Sequence, residues 1–302
     1  MAEMRSYVSG NFGLNLDGKS CGFVKSVSGG AISAEVVTEK IASDHVAHKH
    51  LAAVKYEEFC VDFGFSMEKP VYDWIAASWE AKYERKNGSI VAYDYALHAK
   101  SEREFLNALI SETVIPTLDG SAKDAGYLTI KFAPELIRAK QPSGKAAAPA
   151  KAATKPFLRG NFKLEIDGLD ATKVNKIDSF SVTQDLVEEA VGEARDYVNA
   201  PAKLTFPNLR ISMPQASAEK WFEWFEDFVV RGNSTQDKEK NGTLTFLSPD
   251  RKTALAQIKL QQLGIFRISE DAATAAADTI HRVVAELYCE KMQFVPPKTG
   301  AK

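Results

Sequence analysis

A nine-residue phrase occurs twice in this chain, and it limits the possible folds more than any other feature. Gly10-Asn11-Phe12-Gly13-Leu14-Asn15-Leu16-Asp17-Gly18 returns as Gly160-Asn161-Phe162-Lys163-Leu164-Glu165-Ile166-Asp167-Gly168, with six of nine positions identical at an offset of 150. Leu16 and Ile166 keep a seventh position apolar. Each copy alternates apolar and polar residues and closes on Asp-Gly, the pattern of a half-buried strand entering a tight turn. The chain is therefore expected to be two related domains, and its 302 residues leave room for two of ordinary size.

The rest of each copy follows the same order. After Phe12 to Leu16, a second strand is expected from Phe23 to Val27, stopped by Ser28-Gly29-Gly30, with a counterpart from Val174 to Ile177. A polar arm from Ile32 to Lys55 comes next, and its counterpart runs from Gln184 to Lys203. Phe59-Cys60-Val61-Asp62-Phe63-Gly64-Phe65 alternates as a strand does. Leu204 to Met213 answers it, with the apolar parity changing at Pro207-Asn208, which predicts a bulge.

One helix per copy is predicted: Val71, Tyr72, Trp74, Ile75, Ser78 and Trp79 after Pro70, and Trp221, Phe222, Trp224, Phe225, Phe228 and Val229. Lys86-Asn87-Gly88 and Lys240-Asn241-Gly242 are expected to turn the chain into a strand. Ser101-Glu102-Arg103-Glu104 before Phe105-Leu106 has the form of a helix capping box, whereas Ala256 to Leu260 alternates like a strand. Closing strands are expected from Tyr127 to Phe132 and about Ile280 to Tyr288. Between the copies, residues 139–156 hold four lysines, three prolines and no acidic or large apolar residue, so they read as a solvated linker. Its mean reach, on the order of 20 to 25 Å, would let the two domains stand apart.

Chemistry is sparse along this frame. The net charge of −2 gives no basic excess for nucleic acid or a membrane surface, and no apolar run is long enough to span a bilayer. Cys21, Cys60 and Cys289 are odd in number and lack a Cys-x-x-Cys pair, which argues against a disulfide framework or a zinc site. His45, His48 and His50 invite a metal reading, but spacing supplies no carboxylate or thiolate partner and the second copy has no matching histidine. The four tryptophans could stack on a sugar or base; an aromatic stripe at helical spacing more often plugs a sheet. Glu223, Glu226 and Asp227 lie opposite the aromatic face of the second helix and read as its solvated side. Asp119, Asp124, Glu188, Glu189 and Glu193 are scattered, and no phosphate loop, nucleophile elbow or His-Glu-x-x-His motif is present. No catalytic, cofactor-binding or metal residue is assigned, and an enzyme is not expected.

The order of parts resembles the tail-tube family of contractile-tailed phages and related bacterial contractile injection systems. Val54-Lys55-Tyr56-Glu57-Glu58-Phe59, Trp74-Ile75, Arg85-Lys86-Asn87-Gly88-Ser89-Ile90 and Ala133-Pro134-Glu135 carry most of the likeness, with Ser66-Met67 and Ser212-Met213 ending the aromatic strands. The resemblance implies a mainly β chain of two tandem tail-tube-like β-barrels, each with one flanking helix: domain 1 over 1–138, the linker over 139–156 and domain 2 over 157–302. It also implies a structural protein that forms rings with copies of itself and meets tail-tube or baseplate proteins. Synthesis in the bacterial cytoplasm and incorporation into a phage tail or injection particle are expected, without membrane or specific nucleic-acid partners. Because the family's subunit is a single such domain, a fused pair predicts three chains per ring, with pseudo-sixfold outline and true threefold symmetry. The rival from another class is a soluble two-barrel ligand-binding module using the Trp helices or the histidine segment.

Overall fold

A computed structural model describes residues 10–40, 47–141, 148–149, 156–190, 197–270 and 281–296. The repeated phrase forms the first strand of each half. β1 (Asn11–Leu16) buries Leu14 and Leu16, and Asp17 and Gly18, with φ of 47° and 76°, turn it back into β2 (Lys19–Val24). Two positive angles in succession are what a two-residue hairpin demands and what Asp-Gly supplies. The expected second strand is split into β2 and β3 (Ser26–Gly29).

The polar arm is a hairpin, β4 (Ile32–Lys40) and β5 (Ala47–Tyr56), that ladders only with itself among the described residues. β6 (Phe59–Phe63) follows with strict in-and-out burial, then α1 (Lys69–Trp79), which starts on Pro70, whose missing N–H costs nothing at that position. β7 (Lys86–Tyr93), β8 (Ala99–Ile115), β9 (Leu118–Asp119), β10 (Leu128–Ala133) and β11 (Leu136–Lys140) complete the first half. The second half runs β12 (Phe162–Ile166), β13 (Lys176–Ile177), β14 (Phe180–Ala190), β15 (Tyr197–Thr205), β16 (Leu209–Pro214), α2 (Glu219–Phe225), β17 (Lys240–Leu247), β18 (Ala254–Glu270) and β19 (Arg282–Val295).

The chain is mainly β, and every ladder among the described residues is antiparallel. The duplication is plain in the strand order: β1-β7-β8-β10-β6-β3 in one sheet and β12-β17-β18-β19-β16-β13 in the other. Small irregularities repeat too. Both arms slip register at matching positions, Ala34/Val36 and Gln184/Leu186. The long central strand of each half carries a residue at positive φ, Asn107 and Gln262.

Three local expectations are corrected. Residues 101–106 lie inside β8 and form no helix: Phe105 is fully buried and pairs with Gly88, so the packing of that ring overrides the capping-box pattern. Lys86-Asn87-Gly88 and Lys240-Asn241-Gly242 are the first residues of β7 and β17, and neither Gly88 nor Gly242 has positive φ. Gly88 is needed for closeness: a Cβ there would sit 2.2 Å from the Asn15 carbonyl oxygen and 2.6 Å from Phe105 Cζ. Finally, Leu204 to Met213 is two strands, β15 and β16, with the chain leaving the ladder at Phe206-Pro207-Asn208.

The halves do not stand apart. A single hydrophobic cluster runs through both. Tyr72 and Trp79 of α1 lie 6.4 and 5.7 Å from the Phe294 ring of β19, and Phe65 lies 5.1 Å from Phe246 of β17, with Phe157 wedged against both Phe65 and Phe246. Gln293 Nε2 donates to Glu80 Oε1 at 2.9 Å across the same seam. Offset and edge-on aromatic contacts of this kind add to the area they bury.

Candidate functional site: two arms and the edges they meet

The second arm does what the first does not. β14 leaves its own half and pairs with β8: Phe180, Ser181, Val182 and Thr183 oppose Ile115, Val114, Thr113 and Glu112. The reverse exchange occurs at β9, where Leu118 and Asp119 of the first half pair with Ile177 and Lys176 of β13. Each half thus finishes the other's sheet, and the open N–H and C=O groups of both edges are satisfied.

A polar clamp, buried at Glu135 and Asn199, grips the second arm at one peptide position. Glu135, 7% exposed, accepts the Asn199 backbone N–H at 3.0 Å, while Arg85 Nη2 donates to the Asn199 carbonyl at 2.8 Å. Arg85 Nε lies 3.4 Å from Glu135 Oε1, so the two grip one peptide position from both sides and neutralise each other. The Asn199 amide reaches the Ala133 carbonyl at 3.4 Å and is itself buried. Tyr197 rests against Tyr56 at the base of the first arm, its hydroxyl accepting the Tyr56 N–H at 3.2 Å and donating to the Tyr56 carbonyl at 3.4 Å. Burial holds that hydroxyl above the ordinary tyrosine range. Arg85 and Glu135 lie in phrases that carry the family resemblance, but their partnership was invisible in sequence. They are fifty residues apart and meet through a third residue from the other half.

The first arm and the second edge are left over. Ile32, Val36 and Leu51 are 51%, 55% and 62% exposed on β4 and β5. On β18, whose positions match those of β8, Arg267, Ile268, Ser269 and Glu270 pair with β19 on one side, and on the other have no ladder among the described residues. The face of α2, and of the π-helical turn Glu226–Val230 that continues it, that corresponds to the Tyr72 and Trp79 face of α1 is bare as well: Phe222, Val229 and Val230 are exposed. An exposed apolar helix face beside an unpaired strand edge is a surface built to be covered.

The other residues singled out in the sequence play local parts. Trp74, Trp79 and Trp221 are fully buried and Trp224 nearly so, with Trp74 Nε1 donating to the Glu84 carbonyl at 2.9 Å; their rings are used in packing. His48 is exposed, His50 lies 4.0 Å from Glu39, and His45 is outside the described residues. No group of three or more metal-ligating side chains is brought together among the described residues. Asp119 Oδ1 takes the N–H and hydroxyl of Ser121, and Asp124 pairs with Arg159 at 2.6 Å. Glu223 and Glu226 are exposed and Asp227 half-buried, as expected of a solvated helix side; Glu188 and Glu189 lie exposed on the second arm, and Glu193 is outside the described residues. Among the described residues, no helix is long and apolar enough to cross a membrane.

Among the described residues the chain is mainly β, and its halves join by strand exchange. The sequence model described as T4-like virus tail tube protein gp19 matches residues 8–137, somewhat less than half of the chain. No curated protein matches. Similar solved structures include the anti-feeding prophage cap (AFP tube terminating cap), at 16% identity over 47% of this chain and 95% of that one, with a TM-score of 0.42. The sheath-tube complex of the extracellular contractile injection system PVC, in its extended state, is 17% identical over 47% and 95%, with a TM-score of 0.41. Hcp1 from Flavobacterium johnsoniae is 15% identical over 44% and 93%, with a TM-score of 0.27.

Proposed function

We propose that this protein is a structural subunit of the tube, or of a tube junction, in a phage tail or contractile injection system. Residues 1–138 and 157–302 act as two tube-type barrel domains tied by residues 139–156, and three chains close into a ring of pseudo-sixfold outline with true threefold symmetry. The observation that carries this is the unequal use of the two arms. The second arm is docked on the first half's edge inside one chain, and the first arm and the second edge, alike in shape, remain unused.

Repeating the internal step from one chain to the next uses both, and the operation is heterologous, so it closes only as a ring or continues as a filament. The bare α2 face then meets the next chain's first half, as α1 meets the second half here. Alternate ring positions differ in surface because the halves differ in sequence. That suits a place where a sixfold tube meets a part of other symmetry, such as a hub, initiator or terminator. The protein is made in the bacterial cytoplasm and incorporated into the particle, with tail-tube or baseplate proteins as its neighbours. Native mass measurement with negative-stain imaging of the purified full chain tests this: trimers with six lobes are expected. A strictly monomeric species at high concentration that also fails to join a tube from its own operon would overturn it.

A further inference from the structure

The internal joint and its unused counterpart carry different chemistry at matching positions. Gly88 pairs with Phe105 and Gly242 with Leu260, so the residue three before each glycine corresponds: Arg85 in the first half, Glu239 in the second. Lys131 and Glu286 stand opposite Glu112 and Arg267 beside the same bulge, which brings Glu135 into register with Glu290. On the arms, Asn199 opposes Glu188 and Lys49 opposes Thr38, at the same distance past the shared slip. The neutral grip of Arg85 and Glu135 on Asn199 is thus replaced by two carboxylates, and the arm that would meet them presents a lysine.

The second site contains a buried acceptor that no group among the described residues meets. Glu239 Oε1 accepts the Tyr288 hydroxyl at 2.6 Å, but its Oε2 is buried without a hydrogen-bond partner. Burial, and then the carboxylate it donates to, hold that hydroxyl well above the ordinary tyrosine range. Glu290 is exposed close by in sequence register, and Lys49 is exposed with no ion-pair partner among the described residues. A shut-off carboxylate oxygen is costly until a cation or donor meets it.

Resting on the ring reading, we propose that the occupant is a second copy of this chain. Lys49 of one copy seats between Glu239 and Glu290 of the next, while Gly30, Ala31, Ile32 and Ser33 ladder onto Glu270, Ser269, Ile268 and Arg267. The arm's seat between chains is therefore ion-paired, whereas the arm's seat within each chain holds the neutral Asn199. Salt screens the seat between chains, while the joint within each chain keeps its buried aromatic seam, so rings fall apart into whole two-domain chains. The same charges give the encounter its direction and its speed.

Mass photometry of the full chain and its variants across salt, from about 0.1 M to 1 M, where the screening length shrinks from about 10 Å to about 3 Å, reads this out. The wild type is expected to lose rings as salt rises. Lys49→Glu is expected to weaken ring formation at least tenfold at low salt with an unchanged monomer melting curve, and Lys49→Glu with Glu239→Lys to restore much of it. If wild-type rings form and Lys49→Glu forms them equally well with the same salt response, the ion-paired joint is wrong and the ring stands. If the wild type forms no ring at any salt, the ring reading itself fails and takes this joint with it.

Discussion

Asn87 Oδ1 accepts the backbone N–H of Asn107 at 2.8 Å, across the point where β7 and β8 slip register. Asn241 does the same for Gln262 at 3.2 Å in the second half. In both cases the residue served has positive φ, 53° and 56°, and its amide is turned out of the ladder. Asparagine adopts that backbone region at less cost than glutamine, so the two copies store different strain at one position. Gln262→Gly is expected to stabilise the protein by about 1 kcal/mol and Asn107→Gly by less. Asn87→Ala should cost about 1 kcal/mol. Urea midpoints would show this ranking, and equal gains at the two glycine variants would contradict it.

Gly88 gives a sharper stability test. A Cβ added there would lie 2.2 Å from the Asn15 carbonyl oxygen and 2.6 Å from the Phe105 ring, so Gly88→Ala must part β1 from β7 or move a buried ring. A loss of about 2 kcal/mol is expected. Gly64→Ala, where nothing lies within 4 Å, should change stability little and serves as the control. Matching melting curves for the two variants would refute the close approach.

The clamp on Asn199 predicts a local effect. Arg85→Met leaves the buried Glu135 without its ion-pair partner and strips the Asn199 carbonyl of its donor, a cost of about 2 kcal/mol. Adding Glu135→Gln should recover part of this. Amide exchange should quicken first along β15 and at residues 180–183, with β17 to β19 unchanged. Uniform quickening over the whole chain would mean that the pair supports global stability and not the docking of the arm.

The cysteines make a pH prediction. Burial pushes the Cys21 and Cys289 thiols up to about 11, from an ordinary value of 9.0. The folded state holds these protons where the unfolded chain has lost them. The stability they contribute is whole below pH 9 and drains away as pH rises from 9 to 11. At pH 8, Cys60, only half-buried, should react first with a thiol reagent, and all three should react in denaturant. Modification of Cys21 or Cys289 as fast as Cys60 would show that their burial is not maintained in solution.

Much of the frame was legible in sequence because burial has a period. Phe59, Val61 and Phe63 alternate because one face of β6 is core, and Val71, Trp74 and Ile75 cluster because one face of α1 is. Where the reading failed, a distant partner decided the outcome. Residues 101–106 look locally like a helix start and are held as strand by β7 and β11. Gly88 resembles a turn glycine, and the reason it is glycine lies in Asn15 and Phe105. The arms were legible as polar and exposed, whereas which arm is docked, and on what, depends on residues in the other half that no local pattern records.

Synthesis from the amino terminus gives the pairing of β14 with β8 a further meaning. β8 leaves the ribosome well before β14, and through that interval the edge from Glu112 to Ile115 is open. The matching strand made earlier belongs to a first arm, the chain's own or a neighbour's, so the edge must turn away an early guest and wait for a late one. Backbone hydrogen bonds cannot tell them apart, since both arms offer the same ones. The side chain at the clamp can: Asn199 is 3% exposed, so Lys49 in its place would have to bury a charged ammonium beside Arg85. Asn199→Lys should therefore let nascent chains trap one another, seen as off-pathway oligomers during translation, and their absence would locate the discrimination elsewhere.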